Sequence, residues 1–144
     1  MNGSAAAWAR PHRKRRASGG GTLLQGPGCL SYAFVLPISL HPDLRDIRPT
    51  NRFILQRTAK ALQKWQPAIT VQGISDLAVD GLKVSGNAQQ RKKTALLFHG
   101  TLLYGMQADL IARYVKHPKR KPDYRGDRRH GAFLSRIDAS PQFL

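Results

Sequence analysis

The segment DLAVDGLKVSGNA, residues 76–88, decides the fold more than any other part of the sequence. Short runs of apolar or alternating residues at 76–79 and 83–86 flank the pair formed by Asp80 and Gly81. Asp-Gly is a preferred two-residue connection between antiparallel strands, so this segment predicts a β-hairpin.

One charged residue, Lys83, follows the hairpin turn in an otherwise charge-poor strand. A lysine whose stem is held by a sheet can act as a positioned point charge. A lysine on an edge strand can equally serve only to block aggregation. The residues alone leave both interpretations open.

Patterns outside the hairpin predict more strands and two helices. Short apolar runs predict strands at 22–24, 31–36, 68–72 and 95–103. Apolar residues recur at helical spacing over residues 51–65, with Asn51 as the N-cap and Pro67 after the end. The same spacing predicts a second helix over residues 108–116.

The composition limits the size of the fold and the kind of partner. The chain has 144 residues, 41% of them hydrophobic, which is enough for one small domain with a core. It carries 24 Lys and Arg against 8 acidic residues, all of them Asp, for a net charge of +16. Polyanions, nucleotides and acidic proteins are therefore the expected partners. So few carboxylates disfavour a multi-carboxylate metal cage or a crowd of paired general acids.

Basic residues concentrate toward the ends of the chain. They predict a flexible basic extension over residues 1–14 and a basic tail over residues 117–144, extended unless it lies against the body or a partner. No apolar run is long enough to span a membrane, and the single Cys29 excludes an internal disulfide and agrees with a reducing cytosol. We therefore predict a cytoplasmic protein, although an Arg-rich start without acids also resembles a transit peptide.

A glycine run follows two arginines in RRASGGGT, residues 15–22. Glycines let backbone amides approach a ligand closely, and the arginines supply charge for phosphate or carboxylate oxygens, so the run suits a nucleotide. It matches neither a Walker loop nor a dinucleotide fingerprint. A glycine triplet is also typical of a linker.

Two further residues have reactive side chains. His99, in the apolar run 98–103, is either a general base or a hydrogen-bonded structural group, and no Asp or Cys stands beside it. Cys29 is either a nucleophile or a small buried thiol.

Three stretches in this order, RRASGGG (15–21), DGLKVSGNA (80–88) and HGTLL (99–103), resemble the signature stretches of the lipoate-protein ligase family, within the biotin and lipoate ligase superfamily. The resemblance implies an α+β fold: a mixed β-sheet with packed helices, like the catalytic domains of class II aminoacyl-tRNA synthetases and biotin ligases. It implies a catalytic domain over residues 15–116. Fourteen residues precede Arg15, so we expect this domain to be incomplete.

The resemblance also implies which residues form the site. Lys83 is expected to be catalytic, contacting both the acyl carboxylate and the phosphate. ATP is expected at Arg16, Gly21, Thr22, Leu23, Leu24 and Lys83. Lipoate is expected at Gly19, Gly20, Lys83, Ser85, Gly86 and His99, and Asp76 is expected near Mg²⁺ and pyrophosphate.

The implied reaction joins lipoate or octanoate to AMP at the expense of Mg-ATP, and then to a lysine of an acceptor protein. An acidic acceptor would be steered by the positive charge of the chain. Within the superfamily the alternative is an octanoyltransferase, whose loop resembles QGPG at residues 25–28. Such a transferase needs a nucleophilic cysteine, and only Cys29 is present.

An alternative of another class is a small basic RNA-binding protein. Basic clusters with Tyr114, Tyr124 and Phe133 nearby are typical of a surface that follows a phosphate backbone. No recognisable RNA-binding module accompanies them, so nucleic acid is not the expected partner.

Overall fold

The computed structural model describes residues 11–138 of the chain. Residues 1–10 of the predicted N-terminal extension and residues 139–144 of the predicted tail lie outside the described residues. Within them, the strands and helices in chain order are β1 (Cys29–Pro37), α1 (Ile47–Leu62), β2 (Ile69–Gln72), β3 (Asp76–Val79), β4 (Leu82–Arg91), β5 (Ala95–Leu103), α2 (Ala108–Tyr114) and α3 (His130–Phe133). Short 3₁₀ segments lie at Ile38–Leu40, Pro42–Arg45 and Asp123–Arg125.

The five strands form one sheet in the order β1-β5-β4-β3-β2, and each neighbouring pair is antiparallel. The α+β class is confirmed. Instead of the expected mixed sheet, the described strands are antiparallel throughout, and a parallel contact occurs only as a single bridge between Lys83 and Leu134. Each connection between consecutive strands after α1 is short, which favours antiparallel pairing.

The predicted hairpin is confirmed between β3 and β4. Asp80 and Gly81 both have positive φ, 50° and 75°, as a tight two-residue turn between twisted strands requires. The pairing shifts between Leu77 and Ala78, where β4 carries a bulge. Because a bulge adds one residue to one strand, it changes which side chains of β4 reach each face.

Helix α1 begins at Ile47 and not at residue 51. The prediction of Asn51 as the N-cap is wrong, because Asn51 is buried inside the helix and its Oδ1 accepts a hydrogen bond from Gln89 at 2.7 Å. Pro49 in the first turn concealed the true start, and a proline is tolerated there because that turn's N–H groups have no intrahelical acceptor. Within residues 11–138, no helix is long and apolar enough to cross a membrane.

One face of the sheet packs against α1 and forms the main core. Leu55, Leu77 and Phe98 are completely buried there. The buried members of this core are Leu44, Ile54, Leu55, Ala59, Ile69, Leu77, Val84, Leu96, Phe98, Leu102 and Ile137. Strand β4 runs beyond the predicted residue 86 because residues 87–91 pair with β5. Gln89 and Arg91 in this part also bind the backbone at or just before α1.

Two segments cover the other face of the sheet. The strand predicted at 22–24 is wrong: these residues form a loop in which Leu24 is buried against Leu103, Met106 and α2. Residues 117–138 also lie against the body, because the Ser135 and Ile137 N–H groups donate to the carbonyls of Lys83 and Leu103.

Phe133 anchors that last segment, so its removal tests the packing. It is 1% exposed and lies beneath the guanidinium groups of Arg125 and Arg128. We expect Phe133→Ala to lower the free energy of unfolding by about 3 to 5 kcal/mol, as a buried aromatic leaves a cavity. Urea unfolding followed by circular dichroism measures the loss.

The matched control is Leu40→Ala, since Leu40 is 59% exposed. It should change the free energy of unfolding by less than about 0.5 kcal/mol. A loss as small as this in Phe133→Ala would contradict the packing of residues 117–138 on the sheet.

Candidate functional site

The face of the sheet opposite α1 gathers most of the chemically reactive side chains. Asp76 pairs with Gly86 across the hairpin, and Gly86 pairs with Thr101 on β5. Alternate residues of a strand point to the same face, so His99 lies on this face too. Lys83 joins them because it pairs with a residue two positions along β3 from Asp76. We call this face the site face.

An ion pair joins the two strands of the hairpin on the site face. Lys83 Nζ lies 2.9 Å from Asp76 Oδ1, and the side chains are 26% and 8% exposed. The hydroxyl of Tyr124 donates a hydrogen bond to the other carboxylate oxygen, Oδ2, at 2.9 Å. Each oxygen of this buried carboxylate therefore has a partner, as a buried charge requires.

Gly86 provides the room for the lysine side chain. A Cβ on residue 86 would lie 3.0 Å from both Cε and Nζ of Lys83, closer than side-chain atoms normally approach. The amine of Lys83 thus lies directly against Gly86. Any larger residue at position 86 would displace this amine.

A cleft of about 410 Å³ opens on the site face beside Gly86. Four residues predicted for the site line it, namely Arg16, Leu23, Gly86 and His99. The remaining lining residues are Ala17, Gln25, Ser31, Tyr32, Ala33, Leu97, Gly100 and Thr101. Small and apolar side chains leave space along the strands, and Arg16 adds a cation to the lining. Gly86 is the lining residue that lies against the Lys83 amine.

The glycine run folds over the cleft through two contacts. The Arg16 guanidinium donates a hydrogen bond to the carbonyl of Gly21, and the Ser18 hydroxyl is hydrogen-bonded to His99 Nε2. Burial lowers the pKa of His99, and the positive charge of Arg16 lowers this pKa further. His99 is thereby biased to its neutral form, which can bond Ser18 as acceptor or donor.

Other predicted site residues lie apart from the cleft lining. Leu24 is buried in a second hydrophobic cluster, whose buried members are Leu24, Leu103, Met106, Ile111 and Val115. Ser85 is buried on the α1 side, where Asn87 Nδ2 donates to its hydroxyl. Gly19, Gly20, Gly21 and Thr22 are exposed on the covering loop. Lys83 and Asp76 do not line the cleft themselves and adjoin it through Gly86. The site thus consists of the cleft with Arg16 and His99, and of the ion pair beside it.

Two contacts near the cleft were missed by sequence reasoning. On the α1 side of the sheet, the Tyr32 hydroxyl donates a hydrogen bond to Asn87 Oδ1 across Gly100. A Cβ on residue 100 would lie 1.8 Å from this oxygen, so the glycine of the His-Gly pair makes room for the cross-strand bond. Tyr124 lies in the segment interpreted as a tail, and its position in the sequence gives no sign of its contact with Asp76.

Cys29 lies at the start of β1 and is partly buried among the second hydrophobic cluster. Burial raises the pKa of its thiol, and a hydrogen bond with Thr101 offsets part of this effect. A raised pKa keeps the sulfur protonated at neutral pH, and the thiolate is the nucleophilic form. These surroundings are typical of a structural thiol.

Asp76 was predicted near a magnesium ion. Across residues 11–138, no group of three or more His, Cys, Asp or Glu is placed to hold a metal ion. The two oxygens of Asp76 are occupied by Lys83 and Tyr124. Asp76 therefore offers a metal ion a single carboxylate. Mg²⁺ with so few protein ligands is held mainly by substrate phosphates and water.

Comparison with known proteins gives a consistent result. Residues 12–137 match the model of the lipoyl protein ligase A/B catalytic domain. The lipoate-protein ligase LplJ of Bacillus subtilis is 29% identical over 130 residues, 90% of this chain and 37% of that protein. A probable lipoate-protein ligase A of Mycoplasma pneumoniae is 30% identical over 74% of this chain and 30% of that protein. The chain thus spans about a third of the length of these curated relatives.

Solved structures share the fold. A bi-partite lipoate protein ligase from an archaeal lipoylation system of Thermoplasma acidophilum superposes with a TM-score of 0.71 at 20% identity, over 90% of this chain and 51% of that chain. A lipoate-protein ligase A bound with ATP gives a TM-score of 0.69 at 20% identity, over 90% and 52% of the two chains. The LipL1 protein of P. falciparum, in complex with lipoate, gives 0.56 at 25% identity, over 74% and 29%.

The lowered pKa of His99 predicts a pH-dependent stability. Because the folded state favours the neutral ring, this contribution is complete above the pKa of an unfolded histidine, about 6.5, and is lost as the pH falls through the lower folded pKa. We expect the difference in free energy of unfolding between wild type and His99→Gln to shrink from about pH 7.5 to about pH 5. Urea unfolding at each pH measures it.

The matched control is His12→Gln, because His12 is exposed in the described chain. It accounts for the loss of a histidine as such. A difference for His99→Gln that stayed constant or grew on acidification would contradict the assigned surroundings of His99.

Proposed function

The chain belongs to the lipoyl protein ligase A/B catalytic-domain family, and from this premise we propose that it activates a lipoate-like carboxylic acid with ATP and passes it to a protein lysine. Among its curated relatives are proteins named as lipoate-protein ligases. Among its structural relatives, one is bound with ATP and another is in complex with lipoate. Lipoate or octanoate and Mg-ATP are the substrates of this proposal, and the cytoplasmic location remains a prediction.

One observation carries the proposal: the Lys83 ammonium is held by Asp76 against Gly86, and Gly86 lines a cleft that Arg16 also lines. A carboxylate and a phosphate both need a cation or N–H donors when they leave water. The interpretation of Lys83 as an edge-strand lysine fits poorly, because β4 lies inside the sheet between β3 and β5.

In the first step, a carboxylate oxygen of the acid attacks the α-phosphorus of ATP. The new bond is the P–O bond of a mixed anhydride, and the bond to pyrophosphate breaks. Negative charge builds on the phosphoryl oxygens in the transition state, where a fixed cation stabilises it more than in the ground state. Lys83 is in the position for this role, and Arg16 with the glycine run supplies further donors for the nucleotide.

In the second step, the amine of an acceptor lysine attacks the acyl carbonyl carbon. An amide forms, AMP leaves, and the amine loses a proton. The acceptor must approach the cleft from outside, and a chain with a net charge of +16 would attract an acidic protein surface. We therefore propose an acidic acceptor domain.

Magnesium enters this proposal as part of the Mg-ATP substrate. Asp76 is the carboxylate nearest to Lys83, and a metal-bound role for it would require release of Lys83 or Tyr124. The residues predicted to bind nucleotide and acid, including Gly19, Gly20, Gly21, Thr22, Leu23, Leu24 and Ser85, remain part of the proposal.

The octanoyltransferase alternative depends on a cysteine nucleophile. Burial raises the pKa of the Cys29 thiol, which disfavours the nucleophilic thiolate and so argues against this alternative. The family match gives no support to the RNA-binding alternative. The ATP-using reaction therefore stands as the proposed function.

We expect Lys83→Ala to reduce lipoate-dependent exchange between ATP and pyrophosphate by at least about 100-fold, because a preorganised charge is lost at the developing phosphoryl charge. Exchange of labelled pyrophosphate into ATP measures the first step alone. Lys60→Ala, at an exposed lysine of α1, is the control and should leave exchange unchanged. Substantial exchange retained by a folded Lys83→Ala protein would refute the role of Lys83.

Cys29→Ser separates the ligase from the transferase. We expect acyl transfer to change less than about twofold, since the ATP-dependent reaction uses no thiol nucleophile. Transfer of the acyl group to an acceptor domain, with ATP or with an acyl carrier protein as the source, is the measurement. A large loss of ATP-independent transfer in this variant would favour the octanoyltransferase.

A further inference from the structure

We propose that Tyr124 is a positioning residue that fixes the Lys83 ammonium at the cleft by holding the carboxylate of Asp76. This inference rests on the proposed function for its effect on catalysis. The contact itself lies within residues 11–138 and can be tested without measuring any enzymatic activity.

The contact joins three elements, namely the 3₁₀ segment Asp123–Arg125, β3 and β4. The Tyr124 hydroxyl donates to Asp76 Oδ2 at 2.9 Å, and Asp76 Oδ1 lies 2.9 Å from Lys83 Nζ. One carboxylate thus receives a neutral donor on one oxygen and an ammonium on the other. Binding both oxygens removes the freedom of the carboxylate to rotate, and this sets the direction in which Oδ1 meets the lysine.

The hydroxyl stays a donor over the physiological pH range. Burial and the negative charge of Asp76 raise the pKa of Tyr124 far above its usual value, with smaller opposing effects from Arg128 and Arg125. A phenolate cannot form beside the carboxylate at neutral pH. The hydrogen bond to Asp76 is therefore always available.

Tyr124 itself is held in place from several sides. Its ring packs on Phe133, with centroids 5.2 Å apart, and lies close to Gly73. Its carbonyl accepts a hydrogen bond from Arg128 at 2.5 Å, and Arg128 also donates to the carbonyl of Gly81 in the hairpin turn at 3.3 Å. The phenol is consequently fixed to the same hairpin that carries Asp76 and Lys83.

The same segment also holds the backbone of Lys83. The Ser135 N–H donates to the Lys83 carbonyl at 2.9 Å, next to the parallel bridge between Lys83 and Leu134. Residues 124–135 therefore fix the lysine at its backbone directly and at its amine through Asp76. Packing alone would explain the backbone contact. The Tyr124 hydroxyl instead acts on the Lys83 amine, through its hydrogen bond to Asp76.

Removal of the hydroxyl leaves Asp76 Oδ2 without its donor in a side chain that is 8% exposed. The carboxylate is then free to turn toward water, which loosens its hold on Lys83 Nζ. The amine is then no longer held at one place relative to Gly86 and the cleft. Loss of a fixed position at a catalytic charge lowers the rate more than substrate affinity.

The test compares Tyr124→Phe with Tyr104→Phe, which removes the same hydroxyl from a tyrosine packed on the main core. Two readouts are used. The first is kcat and KM of lipoate-dependent pyrophosphate exchange. The second is the rate at which N-acetoxysuccinimide acetylates Lys83, measured by peptide mass spectrometry relative to the exposed Lys60.

We expect Tyr124→Phe to lower kcat about tenfold with KM nearly unchanged. We also expect faster acetylation of Lys83 relative to Lys60, because the amine is no longer fixed on Asp76. Tyr104→Phe should change neither quantity. Asp76→Asn should speed acetylation of Lys83 further, because the ion pair itself is then lost.

Equal acetylation of Lys83 in wild type and Tyr124→Phe would overturn the proposal, whatever the activity of the chain. A fall of kcat in Tyr124→Phe matched by Tyr104→Phe would overturn it as well, since a packing effect would explain both. Absence of exchange in wild type would count against the proposed function alone, because the acetylation rates would still decide the positioning role.

Discussion

The ion pair between Asp76 and Lys83 is the interaction on which the site depends. It bridges two antiparallel strands of a tight hairpin and holds an ammonium group against Gly86, which lines the cleft. Removing a charged pair from water is costly, and such a pair contributes little net stability compared with apolar residues of the same size. A pair of this cost beside the cleft agrees with the proposed role of the ammonium in binding an anion.

The two faces of the sheet differ in what they contribute: one forms the main core, and the other carries the reactive side chains. The face against α1 carries the completely buried Leu55, Leu77 and Phe98, and it supplies the apolar burial that holds the strands together. The site face carries more polar side chains. It is covered by the glycine run on one side and by residues 117–138 on the other. The bulge in β4 opposite Leu77 and Ala78 lets Lys83 and Gly86, three positions apart, both lie on the site face while Val84 enters the core.

Local patterns predicted the hairpin at Asp80 and Gly81 and strand β5, because turn chemistry and a run of apolar residues act over a few positions. The start of α1 at Ile47 was concealed by Pro49, and the end of β4 is set by pairing with β5, where Gln89 and Arg91 also bond to residues distant in sequence. The role of Lys83 was inferred through family resemblance and stays a prediction. Tyr124 was missed because its contact with Asp76 spans 48 positions of the sequence and follows no local pattern.

We propose that the Lys83 ammonium, fixed on Asp76 beside Gly86, binds the mixed anhydride of a fatty acid and AMP. A crystal structure of the chain with a lipoyl sulfamoyl adenosine, a stable analogue of this anhydride, is the decisive measurement. We expect the analogue in the cleft lined by Arg16 and His99, with Lys83 Nζ about 3 Å from an oxygen of the acyl or sulfamoyl group. An analogue bound without contact to Lys83 would contradict it.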